Sequence, residues 1–139
     1  MKNHAVIVLR DKNKVLFVQR SATKKSLPNI WAFASGTVEE GEAVEMTLVR
    51  EAKEELGIDV EIENNFAAVE LPELGSKLHF VSCISKSGNP IVFDTNEIQA
   101  IKWMTFAEFF DEFSDEQIGH GLIYLRKHQE LLSGIFNEV

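Results

Sequence analysis

Three glutamates in the middle of the chain are the side chains best placed to do chemistry. Glu51, Glu54 and Glu55 lie in the segment GTVEEGEAVEMTLVREAKEELGI, residues 36–58. Successive residues of an α-helix are rotated by about 100°, so the three carboxylates share one arc of about 100°. Like charges at this spacing repel by roughly a few tenths of a kcal/mol per pair. The cluster predicts either a solvated acidic helix face or a site that holds a cation.

A divalent metal ion is the cation that this pattern fits. Mg²⁺ prefers oxygen ligands and commonly shares its coordination with substrate phosphates. Such an ion neutralises phosphate oxygens, lowers the pKa of bound water and orients that water toward phosphorus. Carboxylates at this spacing can hold one or more such ions against a diphosphate.

The same segment resembles the Nudix box, G-x5-E-x7-R-E-U-x-E-E-x-G-U, where U is aliphatic. The matching residues are Gly36, Glu42, Arg50, Glu51, Glu54, Glu55, Gly57 and Ile58, and the first U is Ala52. Seven fixed letters would coincide by chance with odds on the order of one in several hundred thousand. The chain carries Ala34-Ser35-Gly36 where many members of the family have Pro-Gly-Gly. That difference bears on the substrate more than on the chemistry.

The resemblance implies roles for these residues. The three glutamates and the carbonyl of Gly36 would bind the metal, and Arg50 would hold the preceding loop to the helix through an ion pair with Glu42. Glu97, six residues before Trp103, resembles a downstream glutamate of the family that binds the metals or acts as the base. A solvated carboxylate at a strand end is the alternative for Glu97. The choice between Glu51 and Glu97 as general base stays open.

Three further residues are candidates for contacting substrate. Arg20 resembles a family arginine that reaches phosphates, although an ordinary surface arginine fits the position too. Lys24, followed by Lys25, lies in a loop and can attract polyphosphate; a solvated loop is the alternative. Phe33 alternates with Trp31 on the strand that enters the box, where an aromatic ring either packs in the core or stacks on a base.

Apolar alternation and turn residues predict a mixed sheet with helices on both faces. The fold class is α/β (α+β), and the resemblance implies a Nudix-type α/β/α sandwich, a single domain over residues 1–139 with the box at 36–58. The stripe formed by Leu48, Val49, Ala52 and Leu56 would face the core, as would Phe66, Phe80 and Phe93. The predicted strands are 4–10, 14–20, 30–34, 59–71 (with a possible break at 64–65), 77–85 and 98–104, and the predicted helices are 43–56, 105–110 and 114–132.

Composition limits the kinds of partner that the protein is expected to bind. A formal net charge of -8 and a pI near 5.0 argue against binding to a nucleic-acid polymer, since such proteins usually present a basic face. No apolar stretch approaches the roughly 20 residues of a membrane span, and no signal peptide is expected. Cys83 is the only cysteine, which excludes an intrachain disulfide and is consistent with the cytoplasm. The four histidines lack the spacing of zinc ligands.

The function predicted from these observations is Mg²⁺-dependent hydrolysis of a diphosphate linkage in a nucleoside diphosphate linked to a group X. A (d)NTP converted to (d)NMP and pyrophosphate is favoured, because the chain is compact and resembles the small, MutT-type branch. ADP-ribose or a dinucleoside polyphosphate is the alternative substrate. A nucleotide sensor without catalysis and an isopentenyl diphosphate isomerase-like enzyme are less favoured, since all box glutamates are present and Cys83 falls after the box. A monomer and a homodimer are both compatible with the sequence.

Overall fold

The computed structural model describes one part of the chain, residues 1–92 and 94–136, in which four strands precede the first α-helix and three further strands precede the remaining α-helices. The predicted core residue Phe93 lies outside this part. None of the helices within it is both long and apolar enough to cross a membrane. The strands are β1 (Lys2–Asp11), β2 (Lys14–Arg20), β3 (Trp31–Ala32), β4 (Ala34–Thr37), β5 (Val60–Leu71), β6 (Ser76–Ser85) and β7 (Ile98–Met104). The α-helices are α1 (Val44–Leu56), α2 (Phe106–Glu112), α3 (His120–Lys127) and α4 (Ser133–Phe136), and turns of 3₁₀ helix cover Pro72–Leu74, Asp115–Gln117 and Gln129–Leu132.

The strands form one mixed sheet in the order β3-β2-β1-β6-β5, with β4 added beside β1 and β7 beside β2. β1 and β6 run parallel, with Val6 opposite Phe80. The remaining pairs are antiparallel, including β1 with β4, where Ala5 lies opposite Gly36. The predicted mixed sheet is therefore confirmed. Its central strand β1 pairs with β4, the strand that leads into the glutamate segment.

Side chains of β1 alternate between two cores, one on each face of the sheet. Val6 and Val8 belong to the core that α2 and α3 cover, whereas Ala5, Ile7 and Leu9 belong to the core that α1 covers. This is the period of two that a strand buried on both faces imposes. The helices on both faces confirm the predicted α/β/α sandwich.

Stacked aromatic rings hold α2 against the sheet. Phe17 stacks on Phe109 with 3.9 Å between ring centroids and on Phe33 at 5.5 Å. The edge of Phe106 meets the same ring at 5.7 Å. Offset stacked and edge-to-face pairs contribute about 0.5–1.5 kcal/mol each beyond the area they bury. Phe80 is fully buried in this core and Phe66 packs against it, as predicted.

Several predicted elements need correction. The strand predicted over residues 30–34 is two short strands, and the predicted break in residues 59–71 is instead a pair of register shifts within continuous β5. The single helix predicted over residues 114–132 is wrong. Ile118 forms a parallel bridge with Trp31, and the Gly119 N–H donates to the Trp31 carbonyl at 2.9 Å. This pairing with the sheet keeps residues 118–119 extended, so α3 begins only at His120.

Candidate active site

Helix α1 positions the glutamate cluster, and its end is set by a glycine. Gly57 adopts the left-handed conformation (φ 69°), and its N–H donates to the Lys53 carbonyl at 3.1 Å. Glycine adopts this conformation without the steric cost that a Cβ would bring. Lys53 itself is exposed and lies 3.6 Å from Asp59, so its charge is directed away from the glutamates.

The predicted core stripe of α1 is wrong at one position. Val49 is 41% exposed, whereas Glu55 is only 8% exposed and lies among the buried residues of the helix. Glu55 follows Leu48 by seven residues, and seven steps of about 100° return to within about 20° of the same direction. The spacing of seven residues from Leu48 therefore indicates that the Glu55 carboxylate is buried, which the sequence analysis did not predict.

The carboxyl group of Glu55 is buried without full hydrogen bonding. Its Oε2 has no hydrogen-bond partner among the residues that the structure describes. Burial, and then the carboxylates of Glu51, Glu97 and Asp94, raise the pKa of Glu55 to about 8, while the Lys24 ammonium acts in the opposite direction. A buried carboxylate without partners is costly unless it is protonated or binds a cation. Its position beside other carboxylates is thus the arrangement expected of a metal ligand.

Glu51 is held where only a glycine fits beside it. A Cβ built on Gly36 would lie 2.5 Å from Oε1 of Glu51 and closer still to its Cγ and Cδ. Arg50 donates to the same Oε1 at 3.0 Å. Burial and the Glu54 carboxylate raise the pKa of Glu51. Because Gly36 has no side chain, the backbone of β4 at this residue can lie in contact with the Glu51 carboxylate of α1.

Arg50 holds the loop before α1 and orients the acidic face. Its Nε and Nη2 donate to the two carboxylate oxygens of Glu42 at 2.9 and 3.0 Å, so the ion pair implied by the resemblance is present. Thr47 donates to Glu42 at 2.6 Å. The hydrogen bonds from Arg50, and then from Thr47, lower the pKa of Glu42 to about 2. Arg50 also lies 3.4 Å from the exposed Glu54 carboxylate.

Glu97 approaches the α1 glutamates from the segment just before β7. Its carboxylate contributes to the raised pKa of both Glu51 and Glu55, which places it in the same electrostatic cluster. Nζ of Lys24 lies 2.7 Å from its Oε2. The structure therefore places Glu97 within electrostatic range of Glu51 and Glu55, and the Lys24 ammonium contacts Glu97 directly.

The residues present fit a divalent ion in their chemistry. All candidate ligands are oxygens, namely the carboxylates of α1, that of Glu97 and the carbonyl of Gly36, which is the donor set that Mg²⁺ and Mn²⁺ prefer. The unpartnered Oε2 of Glu55 supports this fit. Within residues 1–92 and 94–136, no three acidic, histidine or cysteine side chains are gathered closely enough to form a ready-made metal site. Instead, Arg50 and Lys24 engage these carboxylates.

A cleft of about 340 Å³ lies on the side of β1 and β4 that faces α3. Arg20 forms part of its wall, donating from Nη2 to the Ser26 carbonyl at 2.8 Å and from Nε to the Leu27 carbonyl at 3.1 Å. Phe33 is 7% exposed and contributes to the wall from within the aromatic core. Ser35 also lines the cleft and lies opposite Val6, on the face of the sheet that α3 covers. Gly36 lies opposite Ala5, on the face that α1 covers, so the cleft and the carboxylates lie on opposite faces of β4.

The cleft contains polar residues that sequence reasoning missed. His4 has its Nδ1 3.4 Å from Oγ1 of Thr37 and its Nε2 3.3 Å from Oγ of Ser76. His120, the first residue of α3, lines the opposite wall. The parallel pairing of β1 with β6 joins His4 to a segment more than 70 residues away, and no local spacing signals such a contact.

The fold and the site together define a sandwich with an acidic helix on one face of the sheet and a cleft of about 340 Å³ on the other, and comparison with known proteins assigns the family. The family described as NUDIX domain matches residues 2–124, and the chain belongs to this family. Nudix hydrolase 8 of Arabidopsis thaliana is 32% identical over 108 residues, covering 76% of this chain and 29% of that protein. CTP pyrophosphohydrolase of Escherichia coli is 37% identical over 75 residues, covering 54% of each chain. The chain thus spans about a third to a half of the length of these curated relatives.

Solved structures show the same fold. The MutT NUDIX hydrolase from Burkholderia pseudomallei superposes with a TM-score of 0.69 at 19% identity, covering 96% of this chain and 97% of that chain. At this identity the likeness concerns the fold, and it agrees with the arrangement of sheet and helices described above.

Proposed function

We propose that the chain hydrolyses a diphosphate linkage in a nucleoside diphosphate linked to a group X, using Mg²⁺, for which Mn²⁺ can substitute. The favoured substrate is a (d)NTP, cleaved to (d)NMP and pyrophosphate. One observation carries the proposal: the buried Glu55, whose Oε2 has no hydrogen-bond partner among the described residues, lies within electrostatic range of Glu51 and Glu97. Glu51 in turn packs against Gly36 of β4, the strand whose other face lines a cleft of about 340 Å³. Membership of the NUDIX domain family supports it.

Each residue has a defined task in this proposal. Glu51, Glu54, Glu55, Glu97 and the Gly36 carbonyl would hold the metal, which when bound neutralises phosphate oxygens and lowers the pKa of the attacking water. The water oxygen bonds to phosphorus, the bond from that phosphorus to the bridging oxygen breaks, and the water proton passes to Glu51 or Glu97. Arg50 keeps the loop and the carboxylates in place through Glu42. Lys24 and Arg20 supply positive charge for the phosphates.

The cleft supports a small nucleotide as the substrate. Its volume of about 340 Å³ lies in the range of small-molecule sites, and His4 and Ser35 add hydrogen-bonding groups to its apolar wall. Phe33, although only 7% exposed, borders the cleft, and it is the residue proposed to contact the base. A relative that shares 37% identity is named a CTP pyrophosphohydrolase, which is consistent with a nucleoside triphosphate substrate. ADP-ribose and dinucleoside polyphosphates remain the alternative class.

Specific features of the chain argue against the two other functions, an isopentenyl diphosphate isomerase-like enzyme and a nucleotide sensor without catalysis. Cys83 is fully buried in β6, and burial raises the pKa of its thiol to about 12, so it is not available as the reactive cysteine of an isomerase. A sensor without catalysis does not need the full set of box glutamates that this chain retains.

We further propose that the protein acts on small molecules in the cytoplasm as a monomer or homodimer. The proposed partners include neither a membrane nor a nucleic-acid polymer. The net charge of -8 and a single buried cysteine support this setting.

The test is a panel of nucleotides incubated with the purified protein and Mg²⁺, with pyrophosphate resolved from phosphate. Glu54→Gln and Glu55→Gln should each lose about 100-fold or more in kcat while remaining folded by circular dichroism, because each removes a carboxylate that would bind the metal. Glu45→Gln is the matched control, since Glu45 is an exposed glutamate in the first turn of the same helix. Unchanged turnover in both site variants would contradict the ligand assignment. Nucleotide binding without product and without metal dependence would favour the sensor.

A further inference from the structure

The ion pair between Lys24 and Glu97 joins a loop to the acidic cluster. Nζ of Lys24 lies 2.7 Å from Oε2 of Glu97, and the two side chains are 25% and 41% exposed. They are 73 residues apart in sequence, so only the fold brings them together. Lys24 also lowers the pKa of Glu55, which shows that its charge reaches the buried part of the cluster.

Hydrogen bonds hold the loop that contains Lys24 in a position that keeps its ammonium beside Glu97. The N–H of Ser21 donates to the Glu97 carbonyl at 2.9 Å, and the Lys24 N–H donates back to the Ser21 carbonyl at 3.1 Å. Ser21 is 4% exposed, and its hydroxyl lies 2.9 Å from that of Thr23. One residue further on, the N–H of Ala22 donates to the Gln99 side chain at 2.8 Å. The turn at residues 21–24 is therefore anchored to the backbone of Glu97 and to the side chain of Gln99.

A lysine held in this way competes with any other cation for the same carboxylate. Oε2 of Glu97 is in direct contact with the Lys24 ammonium, and a divalent ion that took Glu97 as a ligand would bring two positive charges close to it. Like charges at such a distance repel, and the repulsion is strongest where carboxylates are partly removed from water. Because partly exposed ion pairs contribute little net free energy, the exchange is readily reversible.

We propose that Lys24 is the built-in counter-ion of Glu97 and that it must release this carboxylate before Glu97 can bind a divalent cation. This inference rests on the proposed function, since it takes Glu97 as a metal ligand. Lys24 thereby sets the concentration of metal at which the site fills, a role separate from contact with substrate. Arg50 also contacts a proposed ligand, Glu51, at 3.0 Å through Nη1, but its Nε and Nη2 are held by Glu42, which lies outside the proposed ligands.

The inference predicts that removing the ammonium tightens metal binding. Loss of a partly exposed pair and of one neighbouring positive charge should lower the Kd for Mn²⁺ about fivefold, which corresponds to about 1 kcal/mol. The measurement is the electron paramagnetic resonance signal of free Mn²⁺ during titration of wild type and Lys24→Ala, without nucleotide and at fixed pH and ionic strength. Catalytic activity does not enter this readout.

Lys25 provides a matched control within the same loop. It is exposed and takes part in none of the ion pairs found among residues 1–92 and 94–136. Lys25→Ala makes the same change in net charge, but its solvent-screened charge should alter the Kd by less than about twofold. Lys24→Arg, which keeps a cation beside Glu97, should also stay close to wild type. In a Glu97→Gln background the effect of Lys24→Ala should disappear.

The outcomes separate this inference from the proposed function. A lower Kd in Lys24→Ala alone, lost in the Glu97→Gln background, supports the inference. An unchanged or higher Kd in Lys24→Ala would overturn it, and so would an equal decrease in Lys24→Ala and Lys25→Ala. A wild-type protein that binds no Mn²⁺, with Glu55→Gln behaving identically, would instead overturn the proposed metal site, and the inference with it.

Discussion

Substitution of Gly36 by alanine tests whether the contact between β4 and α1 creates the site. The new Cβ would lie 2.5 Å from Oε1 of Glu51. Carbon atoms in favourable contact are separated by about 3.5–4.0 Å, so the Glu51 side chain must move by roughly 1 Å. Overpacking of this size costs about 1–3 kcal/mol of stability. A misplacement of about 1 Å at a catalytic group can cost about 100-fold in rate, so we expect kcat to fall by about that factor.

A double-mutant cycle isolates the contact. Glu51→Ala removes the three atoms that the new Cβ would meet. In that background Gly36→Ala should cost less than about 0.5 kcal/mol, since alanine is preferred to glycine in a strand. The coupling free energy between the two positions should therefore be at least about 1 kcal/mol.

The assay is urea unfolding of the wild type, both single variants and the double variant in the presence of a chelator, with kcat measured separately in Mg²⁺. Chelation keeps metal binding from contributing to the stability of any variant. Additivity of the two substitutions within about 0.5 kcal/mol would refute the reasoning, because it would mean that residues 36 and 51 do not touch. Full activity of Gly36→Ala would refute it as well.

Two further predictions concern single side chains. The pKa of Glu42 is lowered from 4.5 to about 2 in the folded protein, so its carboxylate stabilises the fold above pH 4.5 and loses that contribution as the pH falls to about 2. Glu42→Gln should lower the urea midpoint at neutral pH and flatten its dependence on pH within this window; an unchanged acid profile would show that the ion pair with Arg50 contributes nothing. Cys83 is fully buried with a pKa near 12, so Ellman's reagent should leave the native thiol unmodified and react fully after unfolding. Rapid modification of the native protein would contradict the burial of β6.

Local sequence patterns determined the main elements around the site. Helix α1 and its end at Gly57 follow from helical periodicity and a left-handed glycine, both of which act over a few residues. Thr105 caps α2 through a capping box with Glu108, at the first residue of the helix predicted over residues 105–110. The resemblance to the box implied that Gly36 and Glu51 both bind the metal, and the structure places these two residues in close contact.

The burial of Glu55 is predictable from the sequence, because seven helical steps align it with Leu48. The break before α3 is not predictable in this way, since it arises from the pairing of Ile118 with Trp31 across the sheet. In that segment a bridge to a distant strand outweighed local helix propensity, which is a weak preference by comparison.

The sequence by itself determined an acidic helix, the strands that flank it and the chemical class of the residues that it presents. Only the tertiary structure decided that Lys24 meets Glu97 and that His4 faces the cleft, because each contact joins segments more than 70 residues apart. Such contacts depend on strand order and on the parallel pairing of β1 with β6. Neither of these leaves a periodic signal in a short stretch of chain.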